Sequence, residues 1–213
     1  MKYKGIIFDL DGVICSTDEY HYLAWKALAD RLGIPFDRER NNLLRGVSRR
    51  ESLEIILEKS EKEYSEETKT ALAEEKNAFY RELLQKMSPA DLPENVKSTL
   101  ETVRKAGLKL AIGSSSRNTP LILNRIGLGT FFDAVADGNC ITHSKPDPEV
   151  FLKAAEMIGL LPGDCLVVED AHAGVEAAAA GGFDCAAVGD ARDDGRARWH
   201  LTEIPEVIRC LES

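Results

Sequence analysis

The sequence predicts an α/β protein with a Rossmann-like parallel sheet core, helices on both faces, and an inserted small all-helical cap domain. Three observations support this fold class. Short apolar runs alternate with amphipathic helical stretches, which is typical of strands buried on both faces of a parallel sheet. Unusual polar residues follow several of these runs. One long segment, residues 18–88, contains helical patterns and no convincing strand.

The predicted strands are apolar runs that each end at a turn residue or a polar side chain. They cover residues 5–8, 108–112, 166–168 and 185–188, with a shorter run at 134–136. Helical patterns at 93–107 and 118–127 lie between them. Asp147-Pro148-Glu149 supplies an N-cap, a first-position proline and an acid before a further helix that Gly159 closes.

The segment between the first strand and residue 88 has at least three helical patterns, at roughly 18–32, 49–60 and 65–87. Gly33 with Pro35, and Ser88 with Pro89, mark the ends of two of them. We therefore expect residues 17–88 to form a helical insert. Residues 1–16 and 89–213 are then expected to form the α/β core.

Composition and charge exclude several classes of protein. The net charge of −9 argues against broad electrostatic attraction to nucleic acid. The apolar run at the N-terminus is too short for a signal peptide or a membrane span, so we expect a cytoplasmic protein with no membrane partner. The five cysteines are scattered without a C-x-x-C pair, which favours free thiols over disulfides or a zinc site.

Polar residues are concentrated at four places that a parallel sheet would bring together. Asp9 and Asp11 follow the first strand, the run from Ser114 to Asn118 follows a second, and Glu169-Asp170 ends a third, while Lys145 precedes a helix. A single acid at a strand end is usually a helix cap or a turn residue. Four such elements in one chain are better explained by a shared crevice at the carboxyl edge of the sheet.

The residue types in this set indicate phosphoryl transfer. Asp9, Glu169 and Asp170 offer the hard oxygen ligands that Mg²⁺ prefers. One carboxylate must be free to attack phosphorus and form an aspartyl phosphate, and a second acid can exchange a proton with the substrate hydroxyl. Ser114 can hydrogen-bond the transferring phosphoryl group, and Lys145 can offset its developing charge.

Asp9-Leu10-Asp11-Gly12-Val13, the serine-ended strand, the lysine and the Glu-Asp pair resemble the four motifs of the haloacid dehalogenase superfamily. The resemblance covers the whole chain, and it implies that residues 17–88 are the cap that determines substrate specificity. It also implies that Asp9 is the nucleophile and Asp11 the general acid/base. Ser114 and Lys145 would position the phosphoryl group. The implied Mg²⁺ ligands are Asp9, Asp11 through its backbone carbonyl, Glu169 and Asp170.

Within the superfamily, Glu19-Tyr20-His21, Arg45-Gly46-Val47-Ser48-Arg49 and Lys76-Asn77 resemble the β-phosphoglucomutases. These enzymes interconvert β-D-glucose 1-phosphate and D-glucose 6-phosphate through β-glucose 1,6-bisphosphate. The resemblance implies that Arg49 holds the non-reacting phosphate and that His21 and Lys76 link substrate binding to Asp11. The implied substrate-binding residues are Thr17, His21, Trp25, Gly46, Val47, Arg49, Ser52, Lys76, Ser115, Ser116, Arg117 and Asn118.

Alternatives remain open for the activity. A phosphatase of the same superfamily would let water attack the aspartyl phosphate in place of a second sugar hydroxyl. A catalytically silent binding protein would be expected to lack a motif acid, and none is missing. Three departures bear on the exact sugar: Ser16 and Arg117 stand where an acid and a lysine are common, and residues 92–95 lack a proline–glycine turn.

Individual residues also have plainer interpretations. His21 could be a histidine on a helix surface with its hydrogen bonds satisfied, and Lys76 could be a solvated residue of a charged helix. Arg49 could belong to an ordinary basic helix start beside Arg50. The Lys145-Pro146 bond is a candidate for the cis form, which X-Pro bonds adopt in about 5–6% of cases. We expect a monomer that acts on a small phosphorylated sugar.

Overall fold

A computed structural model describes residues 2–44 and 47–211 of the chain. Its centre is a six-stranded sheet in the order β3-β2-β1-β4-β5-β6. Every neighbouring pair is parallel, as predicted. The strands are β1 (Gly5–Phe8), β2 (Lys109–Gly113), β3 (Ala134–Ala136), β4 (Cys165–Glu169), β5 (Asp184–Ala187) and β6 (Trp199–His200). All five predicted strands are present, and β6 was missed because two residues carry no readable pattern.

The strand register explains why the functional motifs meet. Phe8 on β1 is level with Ile112 on β2 and with Val168 on β4. The residues that follow these three positions therefore leave the sheet at one edge. Because β1 lies between β2 and β4, this edge is also the point at which the strand order reverses, where open α/β sheets bind their ligands.

Helices cover both faces of the sheet and fill the segment after β1. Their bounds are α1 (Asp18–Leu32), α2 (Arg38–Asn42), α3 (Arg49–Leu57), α4 (Glu66–Leu84), α5 (Glu94–Lys105), α6 (Thr119–Arg125), α7 (Glu149–Met157), α8 (His172–Ala180) and α9 (Val207–Cys210). The three predicted cap helices are confirmed, although α3 and α4 each end about one turn early. The short α2 was not predicted. The N-cap residue of α7 is Pro148, so the prediction of Asp147 at the N-cap and proline at the first helical position was wrong by one residue. Asp147 Oδ1 nevertheless accepts a hydrogen bond from the Glu149 amide at 2.9 Å.

Apolar residues form three buried clusters. Alternation along β1 sends Ile6 and Phe8 into the cluster on one face and Ile7 into the cluster on the other. The third cluster, around Trp25 and Leu53, is built from α1, α3, the first half of α4 and the residues near α2. The helical segment thus has an apolar core of its own, which supports the proposed division at residues 17–88.

Helix α4 packs with two of these clusters. Leu72 and Ala73 in its first half belong to the Trp25 cluster, whereas Tyr80 and Leu84 in its second half belong to the cluster that contains Ile6 and Phe8. This helix therefore connects the helical segment to the core.

Among the described residues no helix is both long and apolar enough to cross a membrane. All five cysteines are free thiols, as predicted.

Candidate active site

A cavity of about 1010 Å³ lies between the carboxyl edge of the sheet and helices α1, α3 and α4. All four predicted motif elements reach it: Asp9 and Asp11, the loop from Ser114 to Asn118, Lys145, and Glu169 with Asp170. The helical segment contributes His21, Trp25, Val47, Arg49, Ser52 and Lys76. We call this cavity the crevice. Gly46 lies outside the described residues.

Three acids form the floor of the crevice. Carboxylate oxygens of Asp9, Glu169 and Asp170 lie within 4.8 Å of one another, and Asp9 and Glu169 are buried. Burial raises the pKa of Glu169 and of Asp170, and repulsion from the neighbouring carboxylates raises it further. This concentration of hard oxygen donors and negative charge fits a divalent cation such as Mg²⁺.

Two glycines allow the acids to approach the backbone so closely. Gly12 has φ +88°, and a Cβ there would lie 2.0 Å from Asp170 Oδ2. A Cβ on Gly174 of α8 would lie 1.5 Å from Glu169 Oε1. The side chains of Asp170 and Glu169 therefore fill the space that larger residues would occupy at these positions.

Lys145 balances part of this charge. Its Nζ donates to Asp9 Oδ1 at 2.5 Å and to Glu169 Oε1 at 3.2 Å. Burial alone would lower the pKa of Lys145, but the carboxylates of Asp9 and Glu169 outweigh that effect and raise it. Lys145 is therefore a fixed positive charge beside Asp9. The Lys145-Pro146 peptide bond is cis.

The loop after β2 is held by its own serines. Ser114 Oγ accepts from the Ser116 amide and Ser116 Oγ from the Asn118 amide, each at 3.2 Å. Arg117 Nε donates to the carbonyl of Gly138 at 3.1 Å. The Ser115 hydroxyl is buried and has no hydrogen-bond partner among the described residues.

Asp11 stands apart from the acid cluster. Its Oδ1 accepts from the Thr17 amide at 2.7 Å and its Oδ2 from Thr17 Oγ1 at 2.5 Å. Thr17 does not line the crevice, but its Oγ1 also accepts from Tyr80 of α4 at 3.0 Å. Burial raises the pKa of Asp11 to about 6, although the Thr17 hydrogen bonds oppose the shift. A carboxyl group in this pKa range can both donate and accept a proton near neutral pH.

Lys76 is buried, so its interpretation as a solvated helix residue is wrong. Its Nζ lies 4.4 Å from the ring centre of Trp25, 4.5 Å from that of Tyr80, and 3.1 Å from His21 Nδ1. Burial lowers the pKa of Lys76. His21 packs against the ring of Tyr80, and its Nε2 lies 3.9 Å from Asp11 Oδ2. The helical segment thus reaches Asp11 through His21 and Thr17.

Arg49 and Arg50 have different surroundings at the start of α3. A capping box between Ser48 and Glu51 begins the helix. Arg50 forms ion pairs with Glu54 and Glu66, both on the helical segment.

Arg49 donates from Nη1 to Glu74 Oε1 at 2.8 Å. Burial lowers the pKa of Arg49, and the positive charges of Arg117 and Arg81 add to the effect, whereas Glu74 opposes it. The guanidinium of Arg49 is thus partly buried, paired with Glu74 and near other cations.

Asn118 connects the core loop to α4. Its Oδ1 accepts from Arg81 Nη1 at 3.0 Å, and its Nδ2 donates to Asn77 Oδ1 at 2.9 Å. Tyr80, Arg81 and Glu74 were not predicted as site residues. Their spacing from Lys76 and Asn77 on one helix was the available signal, since residues three or four apart share a helix face.

Residues 3–182 match the family model of the haloacid dehalogenase-like hydrolases. This chain belongs to that family. The parallel sheet and the position of the acid cluster at its carboxyl edge agree with the fold that the family resemblance implied, and the family's dependence on magnesium fits the acid cluster.

Relatives with known names include both mutases and a phosphatase. The chain is 43% identical over 188 residues to the β-phosphoglucomutase of Bacillus subtilis strain 168, covering 87% of this chain and 83% of the relative. It is 33% identical over 184 residues to a phosphorylated carbohydrates phosphatase of Thermotoga maritima, covering 85% and 82%. The crystal structure of a Clostridium difficile β-phosphoglucomutase superposes with a TM-score of 0.92 at 36% identity, covering 99% of this chain and 96% of that one.

Proposed function

We propose that this chain is a β-phosphoglucomutase that interconverts β-D-glucose 1-phosphate and D-glucose 6-phosphate. The reaction would pass through an aspartyl phosphate on Asp9 and through β-glucose 1,6-bisphosphate. The observation that carries the proposal is the presence of two separate cationic regions in one crevice. Lys145 lies beside Asp9, whereas Arg49 lies near Arg117, and all three cations line the crevice. A mutase needs both, because one phosphate reacts while the other is held.

Each motif residue has a distinct task in this proposal. Asp9 attacks phosphorus, and Asp11 moves a proton to or from the sugar hydroxyl that leaves or attacks. Lys145 and Ser114 hold the transferring phosphoryl group. Mg²⁺ held by Asp9, the Asp11 carbonyl, Glu169 and Asp170 would offset negative charge on the phosphoryl oxygens.

The other predicted residues form the distal and sugar sites. Arg49, Ser116, Arg117 and Asn118 would bind the non-reacting phosphate. The Asn118 amide contacts Asn77 and Arg81, so this phosphate would meet a polar group that already joins core and helical segment. The residues that would contact the sugar or support its binding site are Thr17, His21, Trp25, Gly46, Val47, Ser52, Lys76 and Ser115.

The cap would couple binding to chemistry. Arg49 lies within residues 17–88. Asp11 accepts hydrogen bonds from Thr17, which is the first residue of the same segment. Phosphate bound at Arg49 can therefore draw the cap toward the core, exclude water and place Asp11.

Free cysteines support a cytoplasmic location. The monomeric state stays a prediction.

A sugar-phosphate phosphatase remains the second candidate, because the Thermotoga maritima relative carries that name. A coupled assay distinguishes the two. We expect glucose 6-phosphate to form from the β anomer of glucose 1-phosphate, with stimulation by a trace of the bisphosphate and little release of inorganic phosphate. Phosphate release without glucose 6-phosphate formation would favour the phosphatase.

A further inference from the structure

Glu74 of α4 is a negatively charged residue inside the region where the proposed distal phosphate binds. Its Oε1 accepts the 2.8 Å hydrogen bond from Arg49 Nη1, and its side chain lines the crevice. Arg117 and Arg81 are near enough to Arg49 for their positive charges to lower its pKa. The charge of Arg49 in turn lowers the pKa of Lys76. Glu74 therefore places a carboxylate among several cations at an anion site.

The contact leaves most of the guanidinium available. A guanidinium has several N–H donors in a planar fork, and Glu74 engages Nη1. A phosphate can bind the other donors of Arg49 while the Glu74 contact persists. The Glu74 carboxylate would then lie on the order of 5 Å from the phosphate oxygens, because both are hydrogen-bonded to the same group. At that separation two negative charges repel each other appreciably.

We propose that Glu74 lowers the affinity of the distal site for phosphate. The inference rests on the proposed mutase function. The bisphosphate has to leave one orientation and bind in the other, so each phosphate must be released from the distal site in every cycle. A resident carboxylate lowers the affinity of that site and speeds the exchange.

Glu74→Gln tests the charge by itself, because the amide oxygen still accepts the hydrogen bond from Arg49. Glu75→Gln is the matched control. It makes the same change one residue along α4, where the carboxylate pairs with Arg31 at 2.7 Å and does not line the crevice. Titration calorimetry of each variant with glucose 6-phosphate measures affinity without requiring turnover.

We expect Glu74→Gln to bind glucose 6-phosphate about five-fold more tightly than the unmodified chain, as loss of one repulsive charge at this range implies. Glu75→Gln should bind as the unmodified chain does. In an Arg49→Ala background, Glu74→Gln should give no gain, because the two residues act on one phosphate. In the mutase assay KM should fall and kcat should not rise.

Unchanged or weaker binding by Glu74→Gln would overturn the proposal and leave Glu74 as a residue that only orients Arg49. An equal gain in Glu75→Gln would also overturn it, since the effect would then come from net charge. Failure of the mutase proposal would show itself separately, as absence of glucose 6-phosphate formation by the unmodified chain.

Discussion

Asp9 and Asp11 are two residues apart in the sequence and have different surroundings in the structure. Asp9 is buried between Lys145 and the other acids, whereas Asp11 is turned to Thr17 at the start of the helical segment. Asp9 Oδ1 accepts a hydrogen bond from the fixed positive charge of Lys145 at 2.5 Å. The pKa of about 6 at Asp11 suits proton transfer instead. The different surroundings of these two identical side chains support the two tasks proposed for them.

Substitution of these two acids should have different consequences. Asp9→Asn should abolish the aspartyl phosphate, because the amide cannot attack phosphorus. Asp11→Asn should still be phosphorylated but should turn over at least ~10²-fold more slowly. Intact-protein mass spectrometry after incubation with a phosphoryl donor measures the first effect, and the coupled assay measures the second. Normal turnover by Asp9→Asn would exclude the covalent mechanism.

Arg49 is the residue on which the mutase proposal depends most. Arg49→Ala should lower kcat/KM for glucose 1-phosphate by about 2–4 kcal/mol, the range expected when a partner of a desolvated charge is lost. Hydrolysis of acetyl phosphate should change little, since that donor has no second phosphate. Arg50→Ala is the control, because Arg50 pairs with Glu54 and Glu66. An equal loss of both activities in Arg49→Ala would contradict the assignment.

At the scale of elements, the turn after β1 and helix α4 do most to shape the crevice. The turn brings Asp9 and Asp11 to the sheet edge, and Gly12 within it leaves room for Asp170. Helix α4 carries Glu74, Lys76 and Tyr80 toward the crevice, and its second half belongs to the apolar cluster that contains Ile6 and Phe8 of β1. One rigid helix thus positions cap residues relative to core residues.

Gly12→Ala should disrupt the metal site. The new methyl would collide with Asp170 Oδ2 in a backbone conformation with positive φ. We expect Mg²⁺ affinity to fall about 10–100-fold, as it does when the support of a metal ligand is displaced. Gly33→Ala provides the control, because Gly33 has φ +73° and no atom within 4 Å of the added Cβ. Backbone strain at Gly33 should lower the free energy of unfolding by about 1 kcal/mol and leave Mg²⁺ affinity unchanged. Equal Mg²⁺ affinities in the two variants would contradict the steric argument.

Asp194, in the segment before β6, links that segment to α8 through a contact with His172. This buried carboxylate contacts His172 Nδ1 at 2.7 Å and accepts from Arg196 Nε at 2.9 Å. The hydrogen bonds from Arg196 chiefly lower the pKa of Asp194. Such a group stabilises the folded state above its unfolded pKa of about 3.9, and the contribution is lost as pH falls toward the folded value.

Asp194→Asn should therefore lower the free energy of unfolding by about 1.5–3 kcal/mol at pH 7, the range for hydrogen bonds to a charged group. The variant should lose less stability than the unmodified chain as the pH falls below 4. Urea unfolding at several pH values measures both effects. Asp193→Asn, a neighbouring exposed position, should behave as the unmodified chain. If the free energy of unfolding of Asp194→Asn fell below pH 4 as steeply as that of the unmodified chain, the link between Asp194 ionisation and stability would be contradicted.

At the scale of the whole molecule, the acid cluster joins strands β1 and β4 at the centre of the sheet. A cation bound there relieves repulsion between groups from distant parts of the chain, so it should stabilise the folded state. Chelation with EDTA should abolish activity, and Mg²⁺ should restore it.

Saturating Mg²⁺ should also raise the free energy of unfolding, by about 2.7 kcal/mol at one hundred times Kd. Thermal unfolding with and without Mg²⁺ measures this shift. Asp170→Asn should reduce the shift. Full activity of dialysed, chelator-treated protein would contradict the metal assignment.

The sequence by itself determined strands β1 to β5, helices α1, α3 and α4 of the helical segment, and the four motif elements, because each depends on a local pattern. An apolar run such as 5–8 predicts a buried strand, and the acids that follow it stand next to it in the chain. The tertiary structure alone decided that Lys76 is buried between Trp25 and Tyr80, that Asn118 contacts Asn77 and Arg81, and that Glu74 pairs with Arg49. Apart from Lys76 and Tyr80, which lie four positions apart on α4, those contacts join residues 25 to 51 positions apart. No local periodicity encodes which charged neighbour a side chain meets across such a distance.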